Sequence, residues 1–180
     1  MRPSTEALLR YPVFRNFGPA ELSSVSRLLV MRELDPGEVL FEKGAAGSSM
    51  FFLDVGRVQV DVPTAPGQHK VLASLDPPAL FGEMSLLNNE PRSARIMAIR
   101  PSVLWEMNRE SLLTIAEEKH AAAFKIMVWI ASELSNRLRD TNNKLIQIYA
   151  KPFQSIQELK AQLAAMNPGI TSANFKLGDD

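Results

Sequence analysis

Between Glu38 and Met107 the apolar residues fall in short β-branched or aromatic runs, each cut off by glycine, proline or a polar turn. Val39 to Phe41 is one run and Met50 to Val55 is another. Val58, Val60 and Val62 then alternate with Arg57, Gln59 and Asp61, a spacing that gives a strand one buried and one solvated face. Asp54-Val55-Gly56-Arg57 is expected to connect these two strands, and Pro63 to Gln68 is a polar, turn-rich loop. Val71 to Leu75, Ala94 to Ile99 and Val103 to Met107 complete the set. Many short strands with Gly/Pro turns argue for a barrel or a sandwich.

Helical spacing flanks this region. Thr5 to Arg10 and Pro19 to Met31 carry apolar residues at helical intervals, with Leu22, Val25, Leu28 and Leu29 on one face. Pro19 suits a first turn, and Pro36-Gly37 marks the turn that follows. After Met107, Asn108 is placed to cap a helix starting at Arg109. A break near Lys119-His120 divides a short helix from a long one. On the long one, Ile126, Ile130, Leu134, Leu138, Thr141, Leu145 and Ile148 form a narrow seam, as in a two-stranded coiled coil. The polar residues between them favour helix-on-helix dimerisation; packing on the chain's own β-region is the alternative. Pro152 is expected to interrupt the helix. Ile156, Leu159 and Leu163 then suggest one short amphipathic helix ending at Asn167-Pro168-Gly169. The expected division is 1–119, 120–150 and a tail over 151–180.

Composition narrows the chemistry. The 20 basic and 20 acidic residues balance, which argues against bulk attraction to nucleic-acid backbones or anionic membranes. The chain has no cysteine, so disulfides and thiolate metal sites are excluded. His69 and His120 are its two histidines and lie far apart in sequence, so no metal site is expected. No secretory signal pattern is seen, and no stretch reaches the roughly 18 apolar residues of a membrane span. A cytoplasmic location is therefore expected. No nucleophile-base set is visible, so an enzyme is not expected.

One segment carries chemistry: Phe81 to Ala94, FGEMSLLNNEPRSA. Gly82 permits close backbone approach to a ligand. Met84 to Leu87 can form one helical turn whose first N–H groups face an anion. Arg92 supplies a forked cation suited to two phosphate oxygens. Glu83 supplies a carboxylate able to accept a hydrogen bond from a ribose hydroxyl. These residues alone describe a site for an anion bearing a hydroxyl, or equally a surface Glu–Arg pair beside a turn.

Phe81, Gly82, Glu83, Ser85, Leu86, Pro91, Arg92, Ser93 and Ala94 fit the phosphate-binding cassette of the cyclic-nucleotide-binding domain family, which this segment resembles. The likeness extends to Leu34-Asp35-Pro36-Gly37-Glu38-Val39-Leu40-Phe41 with Glu42-Lys43-Gly44, and to Phe51-Phe52-Leu53 leading to Gly56-Arg57-Val58 as the family's second hairpin. Ala45 departs from it, since many members carry Asp there; the loop rather than the ligand is expected to feel this. The resemblance implies a mainly β, α+β fold: a β-roll of the jelly-roll type with N-terminal helices and a long C-terminal dimerisation helix. It implies that Glu83 binds the ribose 2′-hydroxyl and Arg92 the cyclic phosphate. Gly82, Met84, Ser85 and Ser93 would add close backbone or hydroxyl contacts. Leu72 and Ala73 would line the base pocket, unless they are ordinary core residues.

Asn136 to Leu145 further resembles the dimerising helix of the bacterial catabolite activator family. Thr141 and Asn142 match two positions that contact adenine there, the second from the partner subunit; Asn142 stands where that family has Ser. That family continues into a helix-turn-helix domain, whereas only a short tail follows Ala150 here, so DNA binding is not expected. The resemblance thus implies a homodimeric, non-enzymatic receptor whose ligand, not a cofactor, is cyclic AMP in preference to cyclic GMP. Its output would be a surface presented to an unidentified protein effector. A protein-interaction module that kept the fold and lost the ligand is the alternative.

Overall fold

The computed structural model of the chain describes residues 1–88, 90–118 and 120–166. Its elements are α1 (Thr5–Leu9), a 3-10 turn (Pro12–Phe14), α2 (Pro19–Leu28), β1 (Val30–Leu34), β2 (Val39–Phe41), β3 (Ser49–Ala65), β4 (Gln68–Leu75), β5 (Ala79–Phe81), α3 (Glu83–Asn88), β6 (Arg95–Asn108), α4 (Arg109–Glu118) and α5 (His120–Met166). The described strands make one antiparallel sheet in the order β1-β6-β3-β4, with β2 also on β6 and β5 also on β3.

Two long strands organise the sheet: β3 has 17 residues and β6 has 14. Sequence spacing divides each into two, yet each runs through its interruption. Asp54-Val55-Gly56-Arg57 is therefore not a hairpin connection. It is a stretch of irregular pairing inside β3, where the register against β6 shifts between Leu53 and Val55, between Val55 and Arg57, and between Arg57 and Val58. Such bulges bend a strand without ending it. Gly56 has φ 93°, and a Cβ there would fall 2.3 Å from the Pro101 carbonyl oxygen. Only glycine fits that bend.

On one side of the bend β3 pairs with β5 and the end of β6; on the other it pairs with β4 and the start of β6. The two halves close on each other into a roll. Leu34, Phe51, Leu53, Phe81 and Leu104 pack there with Val58, Ile96 and Ala98. Met50 and Phe52 alternate to the opposite face and are also fully buried. The Phe52 ring lies 5.2 Å from those of Tyr11 and Phe14. Burial on both faces is why Met50 to Leu53 reads as a continuous apolar run.

The helices cover that outer face. In α2 the Glu21 carboxylate accepts the Gly18 N–H at 2.7 Å, and Leu22 and Val25 are buried. The helix stops at Leu28 and not at Met31, because Val30 and Met31 pair with Glu106 and Trp105 as part of β1. Sheet pairing overrides the helical spacing there. Asn108 caps α4 as expected, its Oδ1 accepting the Ser111 N–H at 2.7 Å.

Two units are distinguished, Met1–Ala131 and Ser132–Asp180. In the first, Ile126 and Ile130 of α5 are fully buried, and Lys125 Nζ lies 2.8 Å from Glu21. These two seam positions are therefore core residues. In the second, Leu138, Leu145 and Ile148 are exposed. The expected interruption at Pro152 does not occur: helical backbone continues from His120 to Met166. Proline removes one N–H and with it one helical bond. The side chains of Leu159 and Leu163, and the stop at Asn167-Pro168-Gly169, lie outside the described residues. No described helix is long and apolar enough to cross a membrane.

Candidate ligand-binding site

The cassette begins where β5 ends. Gly82, at φ 81°, turns the chain so that Glu83 opens α3. A Cβ on Gly82 would lie 2.9 Å from Arg92 Nη1 and 3.1 Å from the Ser49 carbonyl oxygen. The turn and the close approach thus require the same residue.

Arg92 is the centre of the site. It is 5% exposed. Its Nη1 donates to the Ser49 carbonyl at 2.6 Å and to the Gly82 carbonyl at 3.3 Å, and its Nη2 donates to Ser49 Oγ at 3.1 Å. The guanidinium carbon lies 4.2 Å from the Phe41 ring centroid and 5.5 Å from that of Phe51. Its Nε is buried without a hydrogen-bond partner among the described residues. Burial pulls the guanidinium below its ordinary pKa, and the charges of Glu106 and then Glu83 oppose that shift.

The loop between β2 and β3 holds Arg92 by its backbone. Arg92 N–H donates to the Ala45 carbonyl at 2.9 Å, and Gly44 N–H donates to the Arg92 carbonyl at 2.8 Å. Both bonds are main-chain bonds, so alanine at position 45 serves as well as aspartate. Gly47 closes the seat: a Cβ there would stand 2.4 Å from Arg92 Nε. Arg92, Ser49, Gly47, Phe41, Arg32 and Glu106 are among the residues lining one cavity of about 470 Å³.

Next to the cassette lies a second polar group. Alternation along the strand puts Asp61 on a solvated face, but it is fully buried. His69 Nδ1 lies 2.9 Å from its Oδ1, Gln59 Nε2 donates to its Oδ2 at 3.0 Å, and Arg95 Nη1 is 3.4 Å away. Arg95 stands across from it on β6. These polar neighbours, and not solvent, surround the carboxylate, which is what alternation cannot foresee. Burial pushes the Asp61 carboxyl up. The hydrogen bonds from Gln59 and His69, with the charges of Arg95 and His69, outweigh it and hold the group below the usual carboxylate range.

The expected ligand residues separate into groups. Gly82 and Arg92 are in contact, and Glu83 and Ser85 are buried beside them in α3. Met84 and Ser93 are exposed. Leu72 and Ala73 lie on β4 and are exposed, Leu72 at 56%, so core packing does not explain them. Thr141 and Asn142 belong to the second unit and are exposed; Thr141 Oγ1 donates to the Arg137 carbonyl within its own helix at 2.8 Å. Sequence spacing does not single out Phe41, Gly47, Ser49 and Phe51 as neighbours of Arg92. Gly47 and Ser49 are marked in sequence by a small-residue run, Gly47-Ser48-Ser49, entering a strand, and Phe41 and Phe51 by their strand runs. Among the described residues no group of three or more His, Cys, Asp or Glu could hold a metal ion.

Residues 31–119 match the model of the cyclic nucleotide-binding domain. The chain is 30% identical over 134 residues to a cyclic AMP receptor protein of Thermus thermophilus, a match covering 74% of this chain and 60% of that one. It is 33% identical over 130 residues to a cyclic nucleotide-gated potassium channel of Mesorhizobium japonicum, covering 72% of this chain and 31% of the channel. The crystal structure of the Thermus thermophilus catabolite activator protein aligns with a TM-score of 0.68 at 29% identity, over 77% of this chain and 63% of that one. The chain thus spans less than two thirds of the length of each of these relatives.

Proposed function

Residues 31–119 belong to the cyclic nucleotide-binding domain family, and from that premise we propose that the chain is a receptor for a cyclic mononucleotide, cyclic AMP in preference to cyclic GMP. The observation that carries this reading is the setting of Arg92. It is a buried cation with an unpartnered Nε, lining a cavity beside the equally buried Glu83. A buried guanidinium with a donor to spare is suited to a phosphate oxygen.

In this reading Arg92 pairs with the cyclic phosphate and Glu83 accepts the ribose 2′-hydroxyl. Gly82, Met84, Ser85 and Ser93 contribute close contacts along the cassette. The exposed Leu72 and Ala73 supply an apolar wall for the base. Thr141 and Asn142 are assigned to adenine recognition in a homodimer, on the strength of their match to the activator family. Exposed Leu138, Leu145 and Ile148 are consistent with a helix awaiting a partner. Binding would select among existing arrangements of the long helix, and a protein effector would read the outcome. The chain itself acts as a non-catalytic receptor in the cytoplasm.

Calorimetry of the purified protein with cyclic AMP and with cyclic GMP tests the reading. Saturable heat with a thermal shift is expected, larger for cyclic AMP; no response to either nucleotide sinks it. One observation favours a ligand-free interaction module instead: Ser49 and Gly82 already accept hydrogen bonds from Arg92. That module would show no nucleotide absorbance as purified and no nucleotide response.

A further inference from the structure

We propose that Glu106 is the resident counter-charge of Arg92 inside the roll, and that Arg32 holds Glu106 in that role. An incoming phosphate then competes with a carboxylate already in place. Only the binding consequence rests on the cyclic-nucleotide reading.

The placement follows from strand register. Glu106 stands opposite Phe51 on β3 and opposite Val30 on β1. Partners across an antiparallel pair share a face, so Glu106 shares the face of Phe51, over whose ring Arg92 lies. Arg32 Nε donates to Glu106 Oε2 at 2.7 Å. The two ends of that ion pair differ: the Glu106 side chain is 18% exposed and that of Arg32 is 55% exposed. A surface pair would leave both ends in water. Here the carboxylate is turned into the cavity that Arg32, Arg92, Ser49, Phe41 and Phe51 also line.

Each of these charges, Arg92 buried and Glu106 half-buried, meets a need of the other. A carboxylate taken out of water is costly unless countered, and half-solvated Arg32 is a weak counter-charge. Arg92 has its own burial to offset and a donor without a partner among the described residues. Of the two carboxylates that act on Arg92, Glu106 is the stronger influence and Glu83 the weaker.

A phosphate drawn to Arg92 brings a negative charge into the same cavity. Glu106→Gln keeps the side-chain shape and an acceptor for Arg32, and removes the competing charge. It is expected to tighten cyclic AMP binding about tenfold. In a wild type that binds, unchanged or weaker affinity for E106Q overturns the proposal.

A ligand-free arm decides the proposal independently. Thermal denaturation of Glu106→Gln, Arg92→Gln and the double variant closes a double-mutant cycle. Effects that fail to add support the pairing, and additive effects overturn it. If Arg92→Gln does not fold, the Arg92 Nε–H resonance in wild type and in E106Q answers the same question: a shift supports the pairing and an unmoved resonance overturns it. A wild type that binds neither nucleotide refutes the proposed function, and the ligand-free arm still decides whether Glu106 and Arg92 are paired.

Discussion

The guanidinium of Arg92 lies over the ring of Phe41, 4.2 Å from its centroid. The two residues come from opposite ends of the roll's sequence, Phe41 closing β2 and Arg92 preceding β6. Their contact is a desolvated cation–π pair, of a kind that contributes about 2 kcal/mol. It holds the cassette's cation inside the roll instead of leaving it on the surface.

Arg92→Ala should cost on the order of 2–5 kcal/mol of cyclic nucleotide binding, because a buried phosphate loses its charged partner. Calorimetry measures it. An unchanged affinity would show that Arg92 is not the phosphate ligand.

Gly47→Ala tests the seat without replacing any ligand residue. The added methyl meets the Arg92 side chain and not backbone. Overpacking of this kind typically costs about 1–3 kcal/mol of stability. The variant is expected to fold, to displace Arg92 and to bind about tenfold more weakly. Wild-type affinity in a folded Gly47→Ala would mean that the observed position of Arg92 is irrelevant to binding.

Asp61 makes stability depend on acid pH. Its folded pKa lies below the ordinary value of about 3.9. The unfolded state therefore takes up protons first, and the stabilisation is complete above that value and disappears as pH falls through the folded one. Asp61→Asn should cost about 3 kcal/mol at neutral pH, since it leaves His69 and Arg95 facing a neutral group. The gap from wild type should narrow below about pH 4. Denaturation curves with a gap constant in pH would contradict this.

Tyr11→Phe should stabilise the protein by about 1 kcal/mol. Tyr11 is 1% exposed and its hydroxyl has no hydrogen-bond partner among the described residues. Burial raises the phenol pKa and keeps the group neutral. The ring contacts with Phe14 and Phe52 survive the change. A lower melting temperature would indicate that the hydroxyl finds a partner in solution.

Thr141→Ala is expected to weaken cyclic AMP binding by about 1 kcal/mol and to leave cyclic GMP less affected, if Thr141 reads adenine. Equal losses for both nucleotides would remove it from base recognition.

The strand-rich middle with helices on either side, the Asn108 cap and the cassette segment from Phe81 to Ala94 are all legible in the sequence. Each depends on residues that are neighbours along the chain: an N-cap three residues before its donor, or an alternation along one strand. The same local view misplaces others. It divides β3 at Gly56, ends the long helix at Pro152 and puts Asp61 in solvent. Whether a strand bends or stops depends on a partner strand, here Pro101 and Ser102 of β6 facing Gly56. Whether an aspartate is buried depends on which cations come to meet it.

The residues themselves determined that this chain carries Glu83 and Arg92 in one short segment, opened by a glycine turn, between strands. The tertiary structure alone decided that Arg92 faces inward, seated on Phe41 and Phe51, bonded to Ser49 and sharing a cavity with Glu106. Ser49 is 43 positions away from Arg92 in sequence. Sequence periodicity reports which face of an element is apolar. The environment of a charge is set by long-range contacts, and those exist only once the two halves of the roll have closed.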